Sequence, residues 1–182
     1  MIRVLHHRRR VGAFSMAIAL GAVLCAGVAQ AATPGWFIRL KLDNDAKGFR
    51  HHSSMIGQLP NARAGFDAND LRSFPPFSAP FLFIAFPQPT WGARAGDYTT
   101  DFRPLSDPAP TWTFDVRGNP VGDTVYLRWE GDPAALKAST LTNLATGQTI
   151  NVSDPRFMTA GVPIKLTSAS QRYVWRVRAR VQ

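Results

Sequence analysis

The stretch Thr111–Gly131, TWTFDVRGNPVGDTVYLRWEG, holds two alternating runs separated by a turn. In the first, Trp112, Phe114 and Val116 share one side, and Thr113, Asp115 and Arg117 share the other. In the second, Val125, Leu127 and Trp129 oppose Tyr126 and Arg128. Strand side chains alternate with period two, so each run offers one apolar face and one wet face. Gly118, Asn119, Pro120, Gly122 and Asp123 supply turn chemistry between them, and the spacing predicts a β-hairpin. Two tryptophans on one side of a hairpin must be covered, which demands a second layer.

The rest of the chain repeats this grammar. Trp36, Ile38, Leu40 and Leu42 alternate with Phe37, Arg39, Lys41 and Asp43, and a turn follows at Asn44–Gly48. Ser54–Leu59 reads as a second strand, although it alternates poorly. Residues 61–80 form a long segment of Asp, Gly and Pro without periodicity, unusual for a connection in a compact domain. Phe81–Phe86 (FLFIAF) is a continuous apolar run, as expected of a strand covered on both faces. A short edge strand is predicted at Asp97–Phe102. Later strands are predicted at Leu136–Leu144, Thr149–Val152, Val162–Leu166 and Arg172–Val181. The Ala145–Gln148 turn carries Gly147 where positive φ is needed. In the last strand Tyr173, Trp175 and Val177 face inward, while Arg176, Arg178 and Arg180 face outward. Asp132–Lys137 fits one helical turn. Strands at this spacing, divided by Pro and Gly, argue for a single all-β antiparallel sandwich of about seven to nine strands.

The first residues follow different rules. Met1–Arg10 is basic, Val11–Val28 is apolar and rich in Ala and Gly, and Ala29-Gln30-Ala31 matches an A-x-A cleavage site. This pattern predicts a signal-peptide helix over residues 1–31 and a single domain over 32–182. The apolar run, about 18 residues, also reaches the lower limit of a membrane span. Arg9-Arg10 leaves a twin-arginine route open, and Cys25 is where a lipoprotein reading would begin. The net charge of +9 would fall by four on losing Arg3, Arg8, Arg9 and Arg10. Cys25 is the one cysteine, so the remainder has neither disulfide nor thiol chemistry, although export would take it to an oxidising compartment. Its stability must come from an aromatic core.

One ordered set of marks extends across the domain. It runs Gly65-Phe66-Asp67, Asp70, Pro75-Pro76 and Asp101-Phe102-Arg103. A tryptophan strand follows, then Val125, Leu127 and Trp129, then Leu141, Leu144, Thr146 and Gly147. This order resembles an uncharacterised, secreted bacterial immunoglobulin-like domain found beside dockerin-type or sorting modules. The resemblance covers residues 36–180 and implies an immunoglobulin-like sandwich outside the cytoplasm, without known catalysis. The sequence to Gln182 carries no sorting tail, so the resemblance does not extend to surface attachment.

Four features carry candidate chemistry. Asp67, Asn69 and Asp70, with Asp97 or Asp101 nearby, supply the oxygen ligands a Ca²⁺ ion would need; the same residues cap loops through backbone N–H groups. His51 and His52 are adjacent, so on a strand they point oppositely and cannot easily share one ion. Ser53 and Ser54 lack the setting of an activated nucleophile. Arg176, Arg178 and Arg180, with Arg172, form a basic stripe suited to acidic glycans, lipopolysaccharide or other polyanions, unless acids such as Asp43 or Asp115 neutralise it. Phe77 and Trp91 sit in proline-rich loops, where they either bind a partner or cover the core.

No acid–base pair, metal set or nucleophile–base arrangement converges in the sequence, so an enzyme is not expected. The expected role is a non-catalytic exported module, periplasmic or extracellular, that contacts a protein or a cell-surface component. Its cofactor requirement is none, Ca²⁺ excepted. The alternative is a carbohydrate-binding module, with Ca²⁺ as a stabiliser. Specific nucleic-acid binding is not expected, and membrane contact would be transient, through the leader alone.

Overall fold

A computed structural model describes residues 34–74, 76, 78–168 and 170–178. The expected leader over 1–31, together with Phe77 and Arg180, lies outside the described residues. The alternating run at Trp36 becomes β1 (Trp36–Asn44), with Trp36, Ile38, Leu40 and Leu42 buried. A turn at Gly48 leads into β2 (Phe49–Leu59). There follow β3 (Phe81–Gln88), a 3₁₀ turn at Gly92–Arg94, β4 (Gly96–Tyr98) and β5 (Thr100–Pro104). Next come β6 (Thr111–Asn119), β7 (Thr124–Gly131), α1 (Pro133–Lys137), β8 (Ser139–Asn143) and β9 (Thr149–Asn151). The chain continues through α2 (Pro155–Ala160), β10 (Val162–Lys165) and β11 (Gln171–Val177).

The strands form two sheets, ordered β10-β7-β1-β2-β5 and β4-β3-β6-β11-β8-β9. The fold is all-β and sandwich-like, with one apolar core between the layers. Two tryptophan pairs bridge the sheets edge to face. Trp36 meets Trp112 at 5.8 Å between ring centroids, and Trp129 meets Trp175 at 5.5 Å. Each buried indole N–H finds an acceptor, as an apolar interior requires. Trp112 donates to the Asp101 carbonyl and Trp175 to Ser139 Oγ. Among the described residues no helix is long and apolar enough to cross a membrane.

Four expectations are corrected. First, Thr111–Gly131 is not a hairpin: β6 and β7 belong to different sheets. Both apolar rows do face the core, but from opposite layers, and period-two patterning is the same for an arch as for a hairpin. Second, there are eleven strands among the described residues rather than seven to nine. Part of the excess is the segment at 97–102, which splits at Thr99. There the chain leaves the six-stranded sheet, and the Thr99 carbonyl accepts from the Met55 N–H of the other sheet. Third, β2 and β5 run parallel, because two strands of the opposite layer intervene between them. Fourth, the sequence reading has no helix at α2, and Leu136 lies inside α1 rather than opening a strand. Both short helices start with Asp-Pro: Asp132 accepts from the Ala135 N–H and Asp154 from the Arg156 N–H, with proline at the first helical position. That is a readable N-terminal signal.

The poor alternation of β2 has a local cause. Leu40 faces Ser54, yet Leu42 faces His51, so three residues of β2 span two of β1. This bulge at His52–Ser53 resets the inward phase. Beyond it, Gly57 sits where a Cβ would meet the Trp36 carbonyl oxygen at 2.2 Å. Gly57→Ala is expected to force β1 and β2 apart and cost about 1–3 kcal/mol, measurable by urea denaturation. Unchanged stability would show that the two strands adjust freely.

Candidate ligand-binding surface

β11 lies between β6 and β8, and its outward residues set the character of the outer face of the six-stranded sheet. In register, Arg172 faces Asp115, Val174 lies between Thr113 and Thr142, and Arg176 lies between Thr111 and Thr140. β9 extends these rows with Thr149 beside Thr142 and Asn151 beside Thr140. Period two thus places five threonines and two arginines on one face.

The face has two electrostatic halves. Around Asp115 the charges are neutralised. Arg172 donates to Asp115 from Nε at 2.7 Å and from Nη2 at 3.1 Å. Arg117 donates to Asp115 at 3.0 Å and to Asp97 at 2.6 Å. Burial alone would raise the Asp115 pKa, but hydrogen bonds from Arg172 and Arg117 hold its carboxyl below the usual range. The other half carries Arg176 and Arg178, both exposed, and no carboxylate among the described residues pairs with either. A cleft of about 360 Å³ runs between them, floored by Thr111, Thr140, Thr142 and Thr149. A second cleft of about 270 Å³ shares Thr140, Thr149 and Arg178 and adds Lys137 and Asn151. Neither lining includes a carboxylate.

The other candidates are placed differently. Asp67 accepts from the Arg63 and Asn69 N–H groups, each at 2.7 Å, and Asp70 from the Asp67 and Phe102 N–H groups at 2.8 and 3.2 Å. Asp67, Asn69 and Asp70 are therefore engaged in folding the 61–80 segment against β5. Among the described residues no group of three His, Cys, Asp or Glu is gathered so as to hold a metal. Trp91 is half-buried, its ring 4.8 Å from Tyr98 and 5.9 Å from Phe66, and it packs on the core. Arg94 lies over the Phe66 ring at 4.9 Å. Trp91 thus covers the core, and Phe66 is the ring that reaches the surface.

His51 Nε2 lies 2.8 Å from Ser54 Oγ, and His52 Nε2 lies 2.6 Å from Asp43. The spacing of a nucleophile and base is present, but Ser54 is fully buried and donates to the Ile84 carbonyl. The carboxylate meanwhile serves the other histidine. No aligned Ser-His-Asp set forms from these residues.

Asp101, which the sequence offers as a neighbour of the Asp67–Asp70 oxygen set, is a buried group on β5, 1% exposed. Its Oδ2 accepts from Gln88 Nε2 and Arg103 Nη2, whereas Oδ1 has no partner. Burial pushes its pKa up to about 7, against Arg103 and with Asp70 adding to the rise. An Asp-x-Arg on a strand places acid and base on one face, and that spacing was the available signal.

No family model matches the chain, no curated protein matches its sequence, and no solved structure matches its fold.

Proposed function

We propose that this chain is a non-catalytic, exported immunoglobulin-like module that works by contact with a cell-surface component. The observation that carries this reading is the cleft bordered by Arg176 and Arg178, on a face where the neighbouring arginines are neutralised by Asp115 and Asp97. A structural salt-bridge network accounts for Arg117 and Arg172 but leaves Arg176 and Arg178 without a task inside the fold. Cations left beside an open cleft attract anions and raise their local concentration. Export is supported by the leader-like pattern of residues 1–31. Carbohydrate binding moves, on this reading, from Trp91 to the threonine-lined cleft.

The test is binding of the purified protein to washed cell-envelope fractions, native against Arg176→Ala/Arg178→Ala. Loss of two charge-assisted contacts is expected to weaken binding by about tenfold or more, with an unchanged melting temperature because neither arginine supports the core. Equal binding by both proteins would remove the cleft as the contact surface.

A further inference from the structure

We infer that the cleft on β11, β8 and β9 takes an acidic polysaccharide, its carboxylates held by Arg176, Arg178 and Lys137 and its hydroxyls by threonine. This rests on the reading that the cleft is the contact surface, and adds the chemistry of what fills it. The row Thr111, Arg176, Thr140, Asn151 crosses four neighbouring strands in register. Three inter-strand spacings make that row about 14 Å long, room for a short run of sugar rings. Threonine hydroxyls both donate and accept, so a partner rich in hydroxyls satisfies every member of the row. The guanidinium fork matches a carboxylate with two parallel bonds, which an ammonium cannot do.

Competing occupants fit less well. An added peptide strand pairs with backbone groups along a sheet edge, here the outer side of β9, whereas the cleft lies over the face of β11 and β8, each already paired on both sides. Single-stranded nucleic acid is held by aromatic rings that stack on its bases, and no aromatic residue lines either cleft. Thr142 and Thr149 share a hydrogen bond at 2.8 Å. Their hydroxyls are therefore already ordered, and a sugar hydroxyl can join the pair without a large ordering cost.

The experiment measures binding of the full purified protein to a polyuronate, to the same polymer with its carboxyls reduced to alcohols, and to polyglutamate. Variants are Arg176→Ala/Arg178→Ala and Thr140→Val/Thr142→Val. The polyuronate is expected to bind, weakening about tenfold or more in the arginine variant and about threefold in the threonine variant. Raised salt weakens it further, and the reduced polymer and polyglutamate bind poorly. Polyglutamate binding as tightly as polyuronate, no polyuronate binding, or an unaffected threonine variant overturns the ligand class while the envelope assay still stands. Polyuronate binding that ignores the arginine variant overturns both. Circular dichroism melts of each variant separate lost binding from lost folding.

Discussion

Replacing Asp101 with asparagine is expected to raise the melting temperature at pH 8 and to expose an acid-side loss of stability that the native protein conceals. Asp101 is buried, and burial lifts its carboxyl from 3.8 to about 7. The folded chain holds this proton more tightly than the unfolded chain does. Its contribution is therefore complete below the ordinary carboxylate pKa and is lost as pH rises to about 7. His51 behaves oppositely. Burial, with His52 beside it, lowers its pKa from 6.5 to about 4. Its contribution is complete above 6.5 and is lost as pH falls toward 4. Between about pH 4 and 6.5 the two slopes oppose, each on the order of 1.4 kcal/mol per pH unit. Asp70, also raised by burial, adds to the Asp101 side.

Asparagine keeps an acceptor for Gln88 and Arg103 and carries no charge to bury. The Asp101→Asn protein should therefore lose stability from pH 6.5 down to 4.5, chiefly through His51, with Asp70 offsetting part of the slope. Above pH 7 it should exceed the native protein, by less than the whole cost of ionising Asp101, because its Nδ2 takes the unpartnered place of Oδ1 and the ion pair with Arg103 is lost. His51→Asn should give the mirror image, losing stability as pH rises from 4.5 to 7. Thermal melts of the three proteins at pH 4.5, 6 and 8 decide the matter. An Asp101→Asn protein that melts below native at pH 8 would mean that Asp101 is held ionised by Arg103.

These two groups also mark the limit of what patterning discloses. Inward and outward residues of β1, β6, β7 and β11 are readable from alternation, because burial of one strand face is a local, period-two property. Which sheet a strand joins is not local. The Thr111–Gly131 arch has the alternation of a hairpin, and only pairing with β3 and β11 on one side and with β1 and β10 on the other separates them. The inward position of His51 depends on the bulge at His52–Ser53, which breaks the very period used to find strands. The same holds for the surface. Arg172 and Arg176 are equivalent in the sequence, two outward arginines on one strand. Their neighbours distinguish them: Asp115 lies beside Arg172, and threonines lie on both sides of Arg176. The basic stripe was visible beforehand, but its division into a neutralised half and an open half was not. The Asp67–Asp70 segment was visible as unusual, and its hydrogen bonds to Arg63, Asn69 and Phe102 explain why it has no periodicity of its own.

Trp112→Ala is expected to cost about 3–5 kcal/mol, enough to bring a domain of ordinary stability close to unfolding. Trp112 is fully buried, and its ring meets Trp36 across the layers. Its N–H at 2.9 Å is also the bond that ties β6 to the Asp101 carbonyl of β5. Truncation removes the apolar contact, opens a cavity and takes the indole donor from that carbonyl, whereas Trp112→Phe keeps most of the volume and loses chiefly the hydrogen bond, at about 1–2 kcal/mol. Trp36 and Trp112 should couple: in a double-mutant cycle with Trp36→Leu and Trp112→Leu, the double variant is expected to lose about 0.5–1.5 kcal/mol less than the sum of the separate losses. Trp129 and Trp175 form a second pair across the sheets, and Trp175 is the cross-strand partner of Trp112, so the two pairs should couple through that neighbour contact. Chemical denaturation of the single and double variants measures each quantity. Additive losses for Trp36 and Trp112, or a Trp112→Ala protein as stable as native, would mean that the layers are held by something other than the indole pairs that join them.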